Sequence, residues 1–429
     1  MSLKAKNNYD NYMITGMVAG FQPVEVENAF KCTITDSQGK DYLDCFSGIS
    51  VVNAGHNHPK IQASAKKQID KFIHCCTYVY YNPRAGEIAA KLAEITPGKL
   101  QKSFLGNSGA EAVEGALRIA KQHCHKKEII CLTQSFHGRT VGTLSITGNR
   151  GRKKGSGPYL SGIAFAPAPN CYRCPFRQTY PGCGTTCAHF MSDVINYQTS
   201  GDVAAFIAEP IMGEGGIIVP PPEYFKIIKE ILESEGILFI ADEVQSGFGR
   251  TGKMFAIEHY GVEPEIMCMA KGIANGYPLS SFIVTPDIAE AFTPGDHLST
   301  FGGNPVSCAA AVANIEVLQE EKLLENAEKI GRWLMSEFSK LAKERTEIGD
   351  VRGKGLMIGI ELIKDSGKKP AAELAKAVRK ECLENGVLIG VGGTLANVLR
   401  LQPPLCITQE EAEKAFTTIK KSLTKLGYY

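Results

Sequence analysis

The chain has 429 residues, 44% of them hydrophobic and 21% charged, with a formal net charge of +2. That length exceeds one ordinary core and predicts two domains, and the near-neutral charge excludes an electrostatic nucleic-acid binder. No apolar stretch reaches the length of a membrane helix, and MSLKAKNNYDNYM lacks the apolar core of a signal peptide, so a cytoplasmic protein is expected.

Residues 22–44 alternate like strands around a DSQGK turn, and are expected to pack with the C-terminal part. Buried strands are predicted at 102–105, 129–132, 204–208, 237–241, 266–270 and 281–284. Helical patterns lie between them, most clearly at 111–123 and 222–235. Short strands alternating with helices imply a mostly parallel sheet covered on both faces. Long amphipathic helices follow at 304–320 and 323–345. The hairpin-like VRGKGLMIGIELI, a helix at 371–385, GVLIG, NVLRLQPP and a final helix then suit a smaller α+β domain. Most of the 14 cysteines sit singly in apolar runs, such as Cys131, Cys268 and Cys308, and read as small buried hydrophobes.

The strand ends carry the chemistry. One apolar run ends in Asp242 and another in Lys271, the latter followed by a glycine-rich turn. Burying both without partners would be costly, whereas pyridoxal 5'-phosphate needs an acid at its ring nitrogen and a lysine at its aldehyde. Gln245 is placed to reach the ring's phenolic oxygen. In GNSGAEAVEGALRIAK, the turn Ser108–Gly109–Ala110 opens a helix and offers free amides to a phosphate; alone, it also reads as a plain helix cap. In SFHGRT, Phe136 suits an aromatic ring face, His137 adjoins it and Arg139 offers a fork for a carboxylate. AEPIMGEGG supplies Glu209 and Glu214 near a strand end. STFGGNP supplies Thr300 before a helix, and Arg400 closes a short apolar stretch. GFGRTG at 247–252 fits a dinucleotide pattern but follows no clean βαβ unit, so a nicotinamide cofactor is not expected.

Together these motifs resemble, over nearly the whole chain, the class III pyridoxal-phosphate aminotransferases of fold type I. The most specific stretch is IADEVQSGFGRTGKMFAIEH with AKGIANGYPLS. The resemblance implies a large cofactor-binding domain at 56–315 and a small domain at 316–429, with residues 1–55 packing on the small domain. It implies Lys271 as the cofactor-bonding lysine, Asp242 as the ring-nitrogen partner and Val244 opposite Phe136 on the ring. It places Gly109 and Ala110 at the phosphate, and Thr300 at the phosphate of a neighbouring subunit in a homodimer. Arg400 becomes a carboxylate-binding arginine gated by Glu214, serving both an amino donor and 2-oxoglutarate. Arg139, with Ile49 at a pocket-lining position, resembles 4-aminobutyrate aminotransferases. Ornithine, acetylornithine and alanine–glyoxylate aminotransferases look similar, and some racemases share the fold. Lys271, Asp242 and Arg400 together argue against a non-catalytic binding protein. One segment departs from the family: Cys171, Cys174, Cys183 and Cys187 form C-x2-C-x8-C-x3-C, which has ligand spacing for zinc or an iron–sulfur cluster.

Overall fold

The computed structural model describes residues 4–16 and 21–427. Strands β1 (Val26–Phe30), β2 (Thr33–Asp36) and β3 (Asp41–Asp44) form an antiparallel meander, tightened by Gly39 in the left-handed region at φ 80°. The large sheet comprises β4 (Lys102–Gly106), β5 (Glu128–Leu132), β6 (Ile163–Ala166), β7 (Val203–Ala208), β8 (Leu238–Asp242), β9 (Ile266–Met269) and β10 (Ser280–Val284). Its order is β4-β10-β9-β8-β7-β5-β6, and only β10 runs against the others. The strands β7 and β9 are buried at every residue, as a sheet covered on both faces requires.

The predicted strands all form. β6 was not foreseen, because IAFA is short and runs straight into the proline-interrupted APAPN. The C-terminal part supplies β11 (Ile348–Lys354), β12 (Met357–Leu362), β13 (Val387–Leu388), β14 (Gly390–Gly392) and β15 (Val398–Leu401). Four of these make a second sheet in the order β11-β12-β15-β14, while β13 pairs in parallel with β3, Val387 opposite Leu43. The N-terminal meander is thereby tied to the C-terminal part. The division expected at position 315 falls inside the continuous helix Pro305–Glu320. One apolar cluster reaches from Leu43 through Phe239 to Leu399 and Leu423, so the sheets share a core. No described helix is long and apolar enough to cross a membrane.

The GFGRTG loop has a structural task. Arg250 is fully buried, donating to Asn53 Oδ1 at 2.7 Å, to the carbonyl of Leu356 at 3.2 Å and to that of Pro403. Burial lowers its guanidinium to about 9. The loop therefore ties the large sheet to the C-terminal strands and opens no dinucleotide helix.

Candidate active site

The carboxyl ends of β4, β5, β7, β8 and β9 open on one cavity of about 430 Å³. A crevice there is where an open α/β sheet binds ligands, because the connecting loops diverge beyond the strands. Of the residues singled out in the sequence, it is lined by Ser108, Gly109, Ala110, Phe136, His137, Arg139, Glu209, Asp242, Val244, Gln245 and Lys271.

The helix Gly109–Cys124 starts at this cavity. Its cap Ser108 accepts from the amide of Glu111, while the first-turn amides of Gly109 and Ala110 have no intrahelical acceptor. A Cβ on Gly109 would stand 2.8 Å from Val244 Cγ1, so the close approach requires glycine. Across the cavity, His137 Nδ1 lies 2.7 Å from Asp242 Oδ2, both groups being buried. The carboxylate can only accept, so Nδ1 carries the proton and donates. The amide of Val244 donates to Asp242 Oδ1 at 3.1 Å, which fixes the second oxygen. Gln245 Oε1 accepts from Gln402 Nε2 at 3.0 Å, leaving its amide nitrogen to donate.

Lys271 follows β9 with φ 40°, in the left-handed region that a lysine adopts only under constraint. Asn314 imposes it, donating to the carbonyls of Gly272 at 2.9 Å and Ile273 at 3.0 Å. Desolvation holds the Lys271 amine below the ordinary lysine range, opposed by the nearby charges of Asp242, Glu214 and Glu209. Glu209 braces two loops at once: Oε1 accepts from the amide of Phe136 at 3.0 Å and Oε2 from that of Gly213 at 2.9 Å. Its burial pushes the carboxyl up to about 7. The Arg139 guanidinium lies 5.5 Å from the Phe136 ring centroid.

Glu214 and Arg400 are joined to each other beside this cavity. Glu214 Oε1 accepts from Arg400 Nη1 at 2.7 Å. Arg400 also faces the Phe46 ring at 5.2 Å. The two guanidinium groups of Arg400 and Arg152 overcome the effect of burial and bring Glu214 down to about 2. Thr300 is exposed and does not line the cavity, and neither does Ile49, which is 40% exposed. The turn Ser47–Ser50 carries left-handed backbone at Gly48 and Ile49, so the chain turns Val51 to the cavity instead. Asn107, Gly138, Tyr277, Pro278 and Leu279 also line it without having been singled out, although all belong to or adjoin the quoted motifs. Arg152, Gln402 and Asn314 carried no local signal.

The cysteine expectation needs correction. Cys171, Cys174, Cys183 and Cys187 line one small cavity of about 20 Å³. Among the described residues, no group of three or more His, Cys, Asp or Glu is arranged to hold a metal ion. Burial, then the neighbouring cysteines, raise the thiols of Cys171 and Cys187, the latter to about 12. The segment is a thiol-lined knuckle, and the zinc or iron–sulfur centre expected from its spacing finds no support in it. It is anchored by Arg173, whose Nε meets Glu361 Oε1 at 2.5 Å.

A lysine and a carboxylate at adjacent strand ends, with an anion site at a helix start, define a cofactor-dependent enzyme of the α/β type. The class III aminotransferase family model matches residues 17–423, and the chain belongs to that family. It is 40% identical to the acetylornithine aminotransferase of Methanothermobacter thermautotrophicus, over 94% of this chain and 95% of that one. It is 38% identical to the leucine/methionine racemase of Thermococcus litoralis, over 94% and 91% of the two chains. An amine transaminase from an uncultivated Pseudomonas species, solved in its pyridoxal-phosphate-bound form, superposes with a TM-score of 0.90 at 30% identity, covering 96% of this chain and 98% of that one. The chain has the fold type I architecture of these enzymes. The family implies pyridoxal phosphate, and the donor set fits it: the glycine cradle at Gly109, the unpaired first-turn amides, the fixed carboxylate of Asp242 and the desolvated amine of Lys271.

Proposed function

We propose that the protein transfers the amino group of an ω-amino acid to 2-oxoglutarate, with pyridoxal phosphate held in the cavity just described. The observation that carries this reading is the presence of two arginines of different kind. Arg139 stands on the cavity wall, and Arg400 beside it is neutralised by Glu214 at 2.7 Å. Arg139 takes the carboxylate remote from the reacting amine. Arg400 stays paired while the donor binds, then takes the α-carboxylate of the oxo acid.

When bound, pyridoxal phosphate supplies a carbonyl that condenses with amines and a ring that accepts the electron pair left by a breaking C–H bond. The protein residues do the rest. The Gly109 and Ala110 amides would hold the phosphate, and Phe136 and Val244 would flank the ring. Asp242, fixed by His137 and the Val244 amide, would meet the ring nitrogen, and Gln245 would donate at the phenolic oxygen. Lys271 would be the amine that holds the cofactor's aldehyde and the base for the proton on the amine-bearing carbon of the donor.

The donor is an ω-amine. The sequence favours 4-aminobutyrate, whereas the acetylornithine relative favours N-acetylornithine, and both carry the carboxylate that Arg139 would take. To separate them, the purified yellow protein is mixed with each donor without oxo acid, and aldehyde product is counted per active site. One equivalent of aldehyde from either donor supports the reading. No aldehyde from both, with turnover of α-amino acids alone, overturns it. The racemase relative makes leucine and methionine the α-amino acids to test, read by inversion and by solvent hydrogen exchange.

The active unit is a homodimer. Ile73, Val79, Tyr80, Tyr81 and Phe301 are exposed, and the segments bearing them are tied together by Thr77 and Asn82, which donate to the carbonyl of Gly303 at 2.8 and 3.1 Å. Such a patch marks an interaction face, and exposed Thr300 lies on it. Phe301→Asp is expected to convert the dimer to monomer in sedimentation velocity. A wild-type protein that sediments as a monomer at micromolar concentration refutes the dimer.

A further inference from the structure

Glu214 holds two arginines. Its Oε1 meets Arg400 Nη1 and its Oε2 meets Arg152 Nη2, each at 2.7 Å. Separate oxygens are used, so either arginine can leave without breaking the other contact. The two come from different parts of the fold. Arg400 lies on β15 of the second sheet, and Arg152 on the short helix Arg150–Lys153, whose cap Asn149 accepts from the amide of Gly151 at 2.9 Å. Side-chain exposure also separates them: 5% for Arg400, 11% for Glu214 and 38% for Arg152.

Arg400 is held loosely for so buried a cation. Its Nε is buried without a partner, and its second Nη1 contact, to the carbonyl of Gly213, is 3.5 Å long. A Cβ on Gly392 would come within 2.6 Å of that Nε, so glycine leaves the guanidinium its space. An incoming carboxylate finds unused donors on Arg400. Releasing Arg400 to it would strand Glu214 as an unpaired anion in a mostly buried position, a cost that by itself opposes the release. Arg152 removes that cost, because it keeps Oε2 paired throughout.

We propose that Arg152 is a positioning residue that sets specificity for substrates with an α-carboxylate, by retaining Glu214 while Arg400 engages the substrate. This rests on the two-arginine reading of the preceding subsection. It assigns opposite fates to the two contacts of one carboxylate: the Arg400 contact opens in each cycle and the Arg152 contact does not. The consequence is unequal. Donors whose amine is remote from any carboxylate use the closed pair and do not need Arg152. Acceptors such as 2-oxoglutarate do.

The test compares the cofactor-loaded wild type with Arg152→Gln and Arg152→Lys. In Arg152→Gln, KM for 2-oxoglutarate is expected to rise about tenfold, the scale of one charge-assisted hydrogen bond discounted for exposure, with kcat little changed. KM for the ω-amino donor should move less than about twofold, and Arg152→Lys should recover most of the loss. A second readout needs no turnover: calorimetric binding of glutarate, a non-reacting dicarboxylate, should weaken by the same factor in Arg152→Gln. Equal changes for donor and acceptor, or no change in either together with unaltered glutarate binding, overturn the proposal and leave Arg152 a surface ion pair. Failure of the functional reading shows separately, as a wild type that transfers no amino group to 2-oxoglutarate. The glutarate comparison then still decides the role of Arg152.

Discussion

Replacing Lys271 with alanine is expected to abolish turnover, with kcat down by about 10⁴-fold or more, while the protein still captures pyridoxal phosphate. The loss is large because one amine would serve as covalent anchor and as proton carrier, and among the described residues no other lysine lines the cavity. Its chemistry depends on being basic yet partly neutral. Desolvation lowers its pKa, and Asp242, Glu214 and Glu209 limit the fall. Capture should persist because the phosphate cradle at Gly109 and the carboxylate of Asp242 do not involve Lys271. The check is paired: steady-state turnover with an amino donor and 2-oxoglutarate, and cofactor content after gel filtration. A small primary amine added to the variant should restore a fraction of the rate. Turnover within tenfold of wild type would remove Lys271 from the chemistry.

Asp242→Asn should cost about 10³-fold in kcat, the scale of losing one preorganised electrostatic contact in a dry site. The substitution preserves shape and removes charge. The carboxylate accepts from both His137 Nδ1 and the amide of Val244. An asparagine has one oxygen for these two donors, so one of them faces an NH2 group, at about 1–3 kcal/mol of stability. Thermal unfolding should therefore report a moderate loss beside the large kinetic one. A variant that keeps more than a tenth of wild-type kcat would show that the charge at the ring nitrogen is not supplied by Asp242.

The metal expectation finds no support in the structure. Cys171, Cys174, Cys183 and Cys187 do come together, as their spacing suggested. Lining one small cavity is not yet a ligand set, and among the described residues no such set is found. Spacing speaks to proximity and not to the geometry of a ligand set. Ile49 is a second example: its neighbour by two residues, Val51, lines the cavity because the intervening backbone turns left-handed.

By itself, the sequence determined the elements and the chemistry at their ends. Apolar runs that stop at Asp242 and Lys271, and a small-residue turn that opens the helix Gly109–Cys124, are local signals. Strand period, helix caps and the cost of burying a charge act over a few residues, so they can be read along the chain. The tertiary structure alone decided which distant groups pair. His137 meets Asp242 across 105 positions, Asn314 clamps the Lys271 turn from 42 positions away, and Glu214 meets Arg400 across 186 while also holding Arg152. No periodicity encodes those partners. They follow from how three sheets and one shared core bring buried polar atoms within hydrogen-bond reach, where each must find a partner.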